Sequence, residues 1–406
     1  MDYYLLTDLT AQLGYELAVS GAETFRVEET MQRVLRAYGV ESQVYSIPNC
    51  IMVSLEAANG KPLMVMKRIG YHGNDLDAVE RLSALSRRLC AETPEVDVAA
   101  QWLEETVANR RSYGIALSYL GHFLVAAGFC PVFGGTPRDC LWAGALGLII
   151  GLVTRILDRL EVNPFFSTIA AAFAAAIPAY LGAALGVVDS PDAAIIGALM
   201  LLVPGLLITN SMRDIIYGDT NSGINRIVQV LLSALAIAMG TAGAWHLTSP
   251  LYGAVTASAL TYPAWVQCAA TGIACMGFVV LFNVHGGGRP LCALGGALTW
   301  MVYLLCGALG FGIYGQNFFA AIFAAAYAET MARIRKYPVT SYQVISAVPL
   351  LPGAGIYYTM SLGLGGSMQL SLEKGLQTAG VAGALAAAIL LVSTLFRLYT
   401  TRRKKS

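Results

Sequence analysis

The sequence predicts a multi-pass α-helical membrane protein: ten transmembrane helices in two five-helix inverted repeats, preceded by a small cytoplasmic α+β domain. Three observations predict it. Of the 406 residues, 56% are hydrophobic and 13% charged, whereas soluble domains carry about 25% charged residues. Beyond residue 110 lie ten apolar runs of the roughly 20 residues that a bilayer core demands of a helix. The net charge of +1 hides an asymmetry: residues 1–109 hold 16 acidic and 9 basic residues, net −7, and the remainder 9 acidic and 17 basic, net +8. An acidic segment is repelled by anionic lipid and by nucleic acid. It therefore reads as a domain beside the membrane, and nucleic acid is excluded as a partner.

Residues 1–110 form the first expected domain. Leu5, Leu6, Leu9, Leu13 and Leu17 recur at helical spacing, and a second helix over 22–38 carries Val27, Met31, Val34 and Leu35 on one face. Three strand-like runs follow, "SQVYSI", "CIMVSLEA" and "LMVMKRI", with an Asn59-Gly60 turn signal between the last two. Two more helices fit 74–90 and 94–110. The order is ααβββαα, long enough to bury its own core. The start, "MDYYLLTDLTAQ", lacks the basic region and long apolar core of a signal peptide. In "SGAETFRVEET" (20–30), Ser20 and Glu23 fit a capping box opening the second helix, and Glu29 and Arg33 an i,i+4 pair. No G-x-S-x-G, H-E-x-x-H or Walker A motif is present, and His72 is the only histidine of this segment. "HGGGRP" and "LGLGGS" read as loops or close-packing sites. The eight cysteines include no C-x-x-C and read as small buried apolar groups, although Cys130 and Cys140 flank one short loop. No cofactor or metal is expected.

The ten expected spans are 113–133, 141–157, 164–187, 193–212, 224–245, 262–283, 290–310, 317–333, 341–362 and 376–397. With the first domain in the cytoplasm, the inner side receives Arg110, Arg111, Arg155, Arg159, Arg213, Arg226, Arg289, Arg333, Arg335, Lys336, Arg397 and the basic tail at 402–405. The outer side receives only Arg138 and Lys374. By the positive-inside rule both termini are cytoplasmic and the chain lies in the cytoplasmic (inner) membrane. The membrane repeats are expected at 111–248 and 249–406.

The two halves resemble one another. "NPFFSTIAAAFAAA" (163–176) matches "QNFFAAIFAAAYAE" (316–329), and "VPGLLITNSM" (203–212) matches "LPGAGIYYTM" (351–360). Gly223 and Gly375 then open the fifth helices. Five helices per half is odd, so the second copy enters the membrane from the opposite side, as in many secondary transporters. Helices interrupted by Pro/Gly at corresponding places point to a substrate site, where freed backbone groups face protein or a water-filled cavity. The competing reading is that Pro and Gly only kink helices or let them pack closely.

Ionisable groups within spans are functional candidates. His122, Arg213, Asp214 and Glu329 qualify. Each also has a structural reading: Glu329 pairing with Arg333, Arg213 snorkelling, Asp214 pairing with a nearby arginine, His122 bonding a carbonyl. The expected substrate site comprises Pro204, Gly205, Asn210, Arg213, Asp214, Pro352, Gly353, Tyr357 and Tyr358. In it, Arg213 or a helix end receives a substrate carboxylate, and Asn210, Tyr357 and Tyr358 offer hydrogen bonds. Glu329, His122 or Asp214 carries a coupling proton. No ATPase motif is present, so an ion gradient or the substrate itself supplies the driving force, and no oxygen-ligand cage argues for sodium.

These features resemble the threonine/serine exporter family. The carrying residues are "SGAETFRVEETMQRVLRAYGV" (20–40), "IPNCIMVSL" (47–55), "RIGYHGNDLDAVERLSAL" (68–85) and "VPGLLITNSMRDIIYGDTNSG" (203–223). The resemblance covers most of the chain and implies proton-motive-force-driven export of small hydroxy amino acids by a transporter rather than an enzyme. A related two-protein branch implies export of C4 dicarboxylates such as succinate as the alternative. The family's N-terminal signature falls on Ser20, Gly21, Glu23, Arg26 and Glu28, and because that domain has been suggested to be hydrolase-like, Glu23, Arg26 and Glu28 are the residues to test. From a different class, the chain would be a membrane-anchored enzyme or sensor acting through that domain. The expected partners are a small-molecule substrate, protons and the bilayer, with a homo-oligomer left open.

Overall fold

The computed structural model describes residues 2–57, 60–248, 260–335 and 339–403. Asn59 of the expected hairpin turn, the junction following residue 248, Lys336, Lys404 and Lys405 lie outside the described residues. The chain divides into two compact units. One comprises Met1–Tyr113 with Gly218–Asn225 and Phe282–His285, and the other Gly114–Tyr217, Arg226–Leu281 and Gly286–Ser406.

The first unit runs α1 (Tyr3–Val19), α2 (Thr24–Ala37), β1 (Ser42–Ile47), β2 (Cys50–Glu56), β3 (Pro62–Arg68), α3 (Leu76–Glu92) and α4 (Val96–Ala108). The strands form an antiparallel sheet in the order β1-β2-β3, with Val44 opposite Val53 and Val53 opposite Val65. Alternation sends Val44, Ile51, Val53, Leu55 and Leu63 to one face. There they join Leu6, Leu9, Leu13 and Leu17 of α1 and Val27, Met31, Val34 and Leu35 of α2 in one core. The stripes read at helical spacing are thus the stripes that are buried.

One expectation is corrected. Ser20 does not open α2; it closes α1, donating its hydroxyl to the Glu16 carbonyl at 2.7 Å. The residue before α2 is Glu23, whose side chain makes no capping hydrogen bond. The reason lies at Gly21, which at φ +93° reverses the chain immediately after Ser20. A Cβ there would lie 2.4 Å from the Gly73 carbonyl oxygen, so only glycine fits. The Glu29–Arg33 pair is present at 2.6 Å, an exposed contact of small energetic weight.

Asp77, in the first turn of α3, is 5% exposed. Its Oδ2 lies 3.9 Å from Arg81 and takes no hydrogen bond among the described residues. Burial raises its pKa above the ordinary 3.8, and Asp75 adds to this; His285, Arg81 and Arg111 oppose it. An acid whose pKa rises on folding contributes stability that is complete below the unfolded value and lost as pH climbs through the folded one. Asp77→Asn is therefore expected to stabilise this unit at neutral pH, with the gain vanishing in acid. Chemical unfolding at matched pH values, read by limited proteolysis within residues 1–113, checks this; an equal effect at both pH values would count against it.

The second unit begins with α5 (Ile115–Phe129), a 3-10 turn (Cys130–Phe133), α6 (Pro137–Arg159), α7 (Pro164–Ala184), α8 (Pro191–Leu199), α9 (Gly205–Tyr217) and α10 (Thr220–Thr248), of which it holds the part from Arg226 on. It continues with α11 (Ala264–Leu281), α12 (Arg289–Ala308), α13 (Ile313–Arg335), α14 (Val339–Ala347) leading into a 3-10 turn (Val348–Leu350), α15 (Gly353–Leu364) and α16 (Met368–Arg403). Among the described residues, seven helices are long and apolar enough to cross a bilayer: α5 with its 3-10 turn, α6, α7, α10, α11, α12 and α16. Residues Val339–Leu350 and Gly353–Gly363, bent by 43° at their break, make an eighth if counted together. This is a multi-pass membrane architecture. The expected spans at 193–212 and 317–333 are not among them. The first is divided between α8 and α9, and α13 carries Glu329, Arg333 and Arg335.

Between lipid-exposed helices, association relies on close van der Waals fit rather than on burial from water. Small residues supply that fit. Ala171, Ala172, Ala175, Ala176 and Ala179 of α7 are at most 1% exposed, and Ala320, Ala321, Ala324, Ala325 and Ala328 of α13 at most 2%. These are the two alanine-rich stretches that align in sequence. Where α5 crosses α11, a Cβ on Gly121 would lie 3.2 Å from the Gly277 carbonyl oxygen, and one on Gly277 2.7 Å from that of Gly121. All eight cysteines are free thiols.

Candidate functional site

Two helix breaks organise the second unit. Helix α8 stops at Leu199 and α9 starts at Gly205; the 3-10 turn stops at Leu350 and α15 starts at Gly353. Proline removes an N–H and its ring collides with the preceding turn, so each helix is interrupted before its Pro-Gly. Both breaks repair themselves alike. The Gly205 amide donates to the Val203 carbonyl at 2.9 Å and the Gly353 amide to the Leu351 carbonyl at 2.7 Å. These are three-residue turns centred on Pro204 and Pro352.

The breaks also pack on one another. A Cβ on Gly205 would lie 2.8 Å from Leu351 Cβ, and one on Gly353 2.8 Å from Val203 Cγ1. Each glycine thus faces the residue that precedes the proline of the opposite break. Because α9 and α15 both start there, two helix N-termini, with their unpaired amides and positive dipole ends, begin at the same place. Val203, Leu207, Ile208 and Met360 seal the surroundings against Val230, Ala234 and Ile356.

The polar groups of α9 follow within its first turns. Thr209 donates to the Gly205 carbonyl at 3.2 Å, and Ser211 is fully buried. Asn210 is half-buried. Arg213 and Asp214 are both buried, and Asp214 accepts from Arg226 Nε of α10 at 2.9 Å. On α15, Tyr357 is half-buried, while Tyr358 is 38% exposed. Their rings lie 5.5 Å apart.

The structure therefore brings Pro204, Gly205, Pro352 and Gly353 together, with Asn210, Arg213 and Asp214 along α9 and Tyr357 and Tyr358 along α15. Glu329 and His122 are not joined to them. Glu329 pairs with Arg333 one turn on, and His122 Nδ1 bonds the Ser118 carbonyl at 2.8 Å. No hydrogen bond or ion pair among the described residues links either to the breaks.

Two residues escaped sequence reasoning as site members. Arg226 reads there as one more inner-side cation, and only the fold shows it against Asp214. Asp192, in the first turn of α8, lies within electrostatic range of Tyr357 and Tyr358. It is exposed and takes no ion pair among the described residues. An acid in a helix's first turn is ordinary dipole chemistry, which hides it in sequence.

In the first unit, the marked residues hold a loop together. Ser20 and Gly21 close α1, the Gly73 amide donates to the Val19 carbonyl and the Asp75 amide to the Ser20 carbonyl. Glu28 Oε1 accepts from the Ser46 amide of β1 at 2.7 Å. Glu23 precedes α2. Arg26 is half-buried and makes no ion pair among the described residues. Both ring nitrogens of His72 face carbonyls, those of Ala18 and Pro48. Among the described residues, no cluster of His, Cys, Asp or Glu could hold a metal ion.

The family model described as "Putative threonine/serine exporter" matches residues 8–248, and that described as "Threonine/Serine exporter, ThrE" matches residues 267–395. The chain belongs to the threonine/serine exporter family. The exporter's two family segments carry one Pro-Gly break each. Family membership makes the chain a transporter rather than an enzyme. The "Threonine/serine exporter" of Corynebacterium glutamicum is 24% identical over 400 residues, 95% of this chain and 81% of that one. The "Probable threonine/serine exporter" of Mycobacterium tuberculosis is 24% identical over 365 residues, 86% of this chain and 68% of that one. The "Probable succinate transporter subunit YjjP" of Escherichia coli is 26% identical over 241 residues, 58% of this chain and 91% of that one. No solved structure matches the exporter.

Proposed function

We propose that this exporter is a secondary transporter that moves threonine and serine out of the cytoplasm, coupled to the proton motive force, across the inner membrane. The reciprocal packing of the two Pro-Gly breaks carries this reading. It fits ten spans in two inverted five-helix repeats, 111–248 and 249–406, behind a cytoplasmic domain of residues 1–110, with both termini cytoplasmic. Two copies of one packing unit, set head to head, have two equivalent ways of tilting. Each would open a shared site to one side of the membrane.

In this reading the substrate carboxylate sits at the N-termini of α9 and α15, with Arg213 just over two turns along α9 as its countercharge. Asn210, Tyr357 and Tyr358 offer hydrogen bonds to the substrate hydroxyl. Asp192, within electrostatic range of the two tyrosines, receives the ammonium group or the coupling proton. Asp214 is held by Arg226 and Glu329 by Arg333, so neither is as available for protonation. The Asp192 carboxylate also argues against the dicarboxylate alternative, because it would repel a second carboxylate arriving at the tyrosines.

Counterflow in proteoliposomes tests the assignment. Labelled serine and threonine are expected to exchange and succinate not. Asp192→Asn is expected to cut serine exchange by about tenfold, the weight of roughly one charge-assisted contact of 1.4 kcal/mol. If none of the three substrates exchanges, or if succinate alone does, the proposal fails.

A further inference from the structure

A cavity of about 470 Å³ lies away from the breaks, between the start of α5 and the end of α6. Its lining includes Tyr119 and His122 from α5, and Thr154, Arg155, Asp158 and Arg159 from α6. Arg155 and Arg159 are one turn apart and so project from the same face. Neither makes an ion pair or hydrogen bond with protein among the described residues, although Asp158 lines the same cavity. The adjoining helix faces are apolar: Ile115, one turn before Ser118 and Tyr119, and Leu148, one turn before Gly151, are 55% and 37% exposed. In a membrane protein such side chains face acyl chains. The cavity thus joins two uncommitted guanidinium groups to a lipid-facing apolar stripe at the end of two spans.

We propose that this cavity is a binding site for an anionic phospholipid, its phosphodiester held by Arg155 and Arg159 and its acyl chains lying along Ile115 and Leu148. Guanidinium forks match phosphate oxygens bidentately. Basic pockets between membrane helices on the cytoplasmic side suit anionic headgroups. That side assignment rests on the orientation proposed above; the fit to a headgroup at the end of two spans does not. Asp158 opposes the phosphate and limits its affinity. A zwitterionic amino acid would reverse that sign, since its ammonium would seek Asp158. The apolar stripe favours lipid over such a solute.

The test is native mass spectrometry of the full chain, delipidated and then exposed to phosphatidylglycerol or phosphatidylcholine. Phosphatidylglycerol is expected to be retained in preference to phosphatidylcholine. R155Q/R159Q should remove that preference, at roughly fivefold in affinity per arginine. R155K/R159K, which keeps both charges, should retain part of it and guards against a folding defect. Asp158→Asn should increase phosphatidylglycerol retention, and Arg138→Gln, outside the cavity, should leave it unchanged. The proposal is overturned if R155Q/R159Q keeps the lipid as well as the parent. It is equally overturned if Asp158→Asn loses the lipid, or if soluble glycerol phosphate displaces it at matched concentration. A change confined to oligomeric state, with lipid retention intact, would assign the surface to a second copy instead and also overturn it. None of these outcomes depends on substrate exchange, so the transport reading stands or falls separately.

Discussion

Asp214→Asn is expected to destabilise the full chain by about 3–5 kcal/mol, the usual result of removing one partner from a buried ion pair. The side chains of Asp214 and Arg226 are 8% and 10% exposed, and they meet at 2.9 Å. Neither charge is readily solvated where it stands. Taking away the carboxylate removes a counterion 2.9 Å from the buried Arg226 guanidinium, close in sequence to a second buried cation, Arg213. Arg226→Met should cost a similar amount, because it removes the cation from beside the buried aspartate. The double variant Asp214→Asn with Arg226→Met should be closer to the parent than either single change, since both charges of this pair are then removed together. Thermal and denaturant unfolding of the four proteins in detergent gives the coupling directly. Additive single effects would show that the pair is not the unit that matters.

The second large effect is expected at the facing breaks. Gly353→Ala adds a methyl group 2.8 Å from Val203 Cγ1, a distance that real Cβ atoms do not tolerate. Overpacking of this kind costs about 1–3 kcal/mol, here at the contact between the two breaks. Serine counterflow should fall by about tenfold or more if the cost is borne by one of two alternating states. Val203→Ala removes the Cγ1 that is struck, so Val203→Ala with Gly353→Ala should recover exchange while Val203→Ala alone changes little. Gly205→Ala strikes Leu351 Cβ, which a shortened side chain at 351 retains. Leu351→Ala should therefore fail to rescue it. Normal exchange by Gly353→Ala, or rescue of Gly205→Ala by Leu351→Ala, would remove the breaks from the transport cycle.

Much of this architecture was legible in the chain. The leucines of α1 and the valines of β1 and β2 announce their buried faces by periods of 3.6 and 2, which are properties of neighbouring residues. The membrane class follows from the length of the apolar runs alone. The Pro204-Gly205 and Pro352-Gly353 breaks follow from proline's missing N–H. The Ser20–Glu23 pattern misled because a capping box is also the composition of a loop between helices, and Gly21 decided which helix Ser20 serves. The two spans containing the first break and Glu329 were less legible by hydropathy, because the residues that interrupt or charge them are the ones a hydropathy average dilutes.

By itself, then, the sequence determined the kinds of element, their order, the membrane class and the pair of interrupted helices. Only the tertiary structure decided that each glycine of one break rests on the residue before the proline of the other. It alone set Asp214 against Arg226, and brought Asp192 within electrostatic range of Tyr357 and Tyr358. The reason is range. Periodicity, turn chemistry and proline's steric demands act over a few residues and leave their mark in the local sequence. Pairing between distant helices is set by close packing of small residues and by the need of buried charges for partners, and neither leaves a local trace.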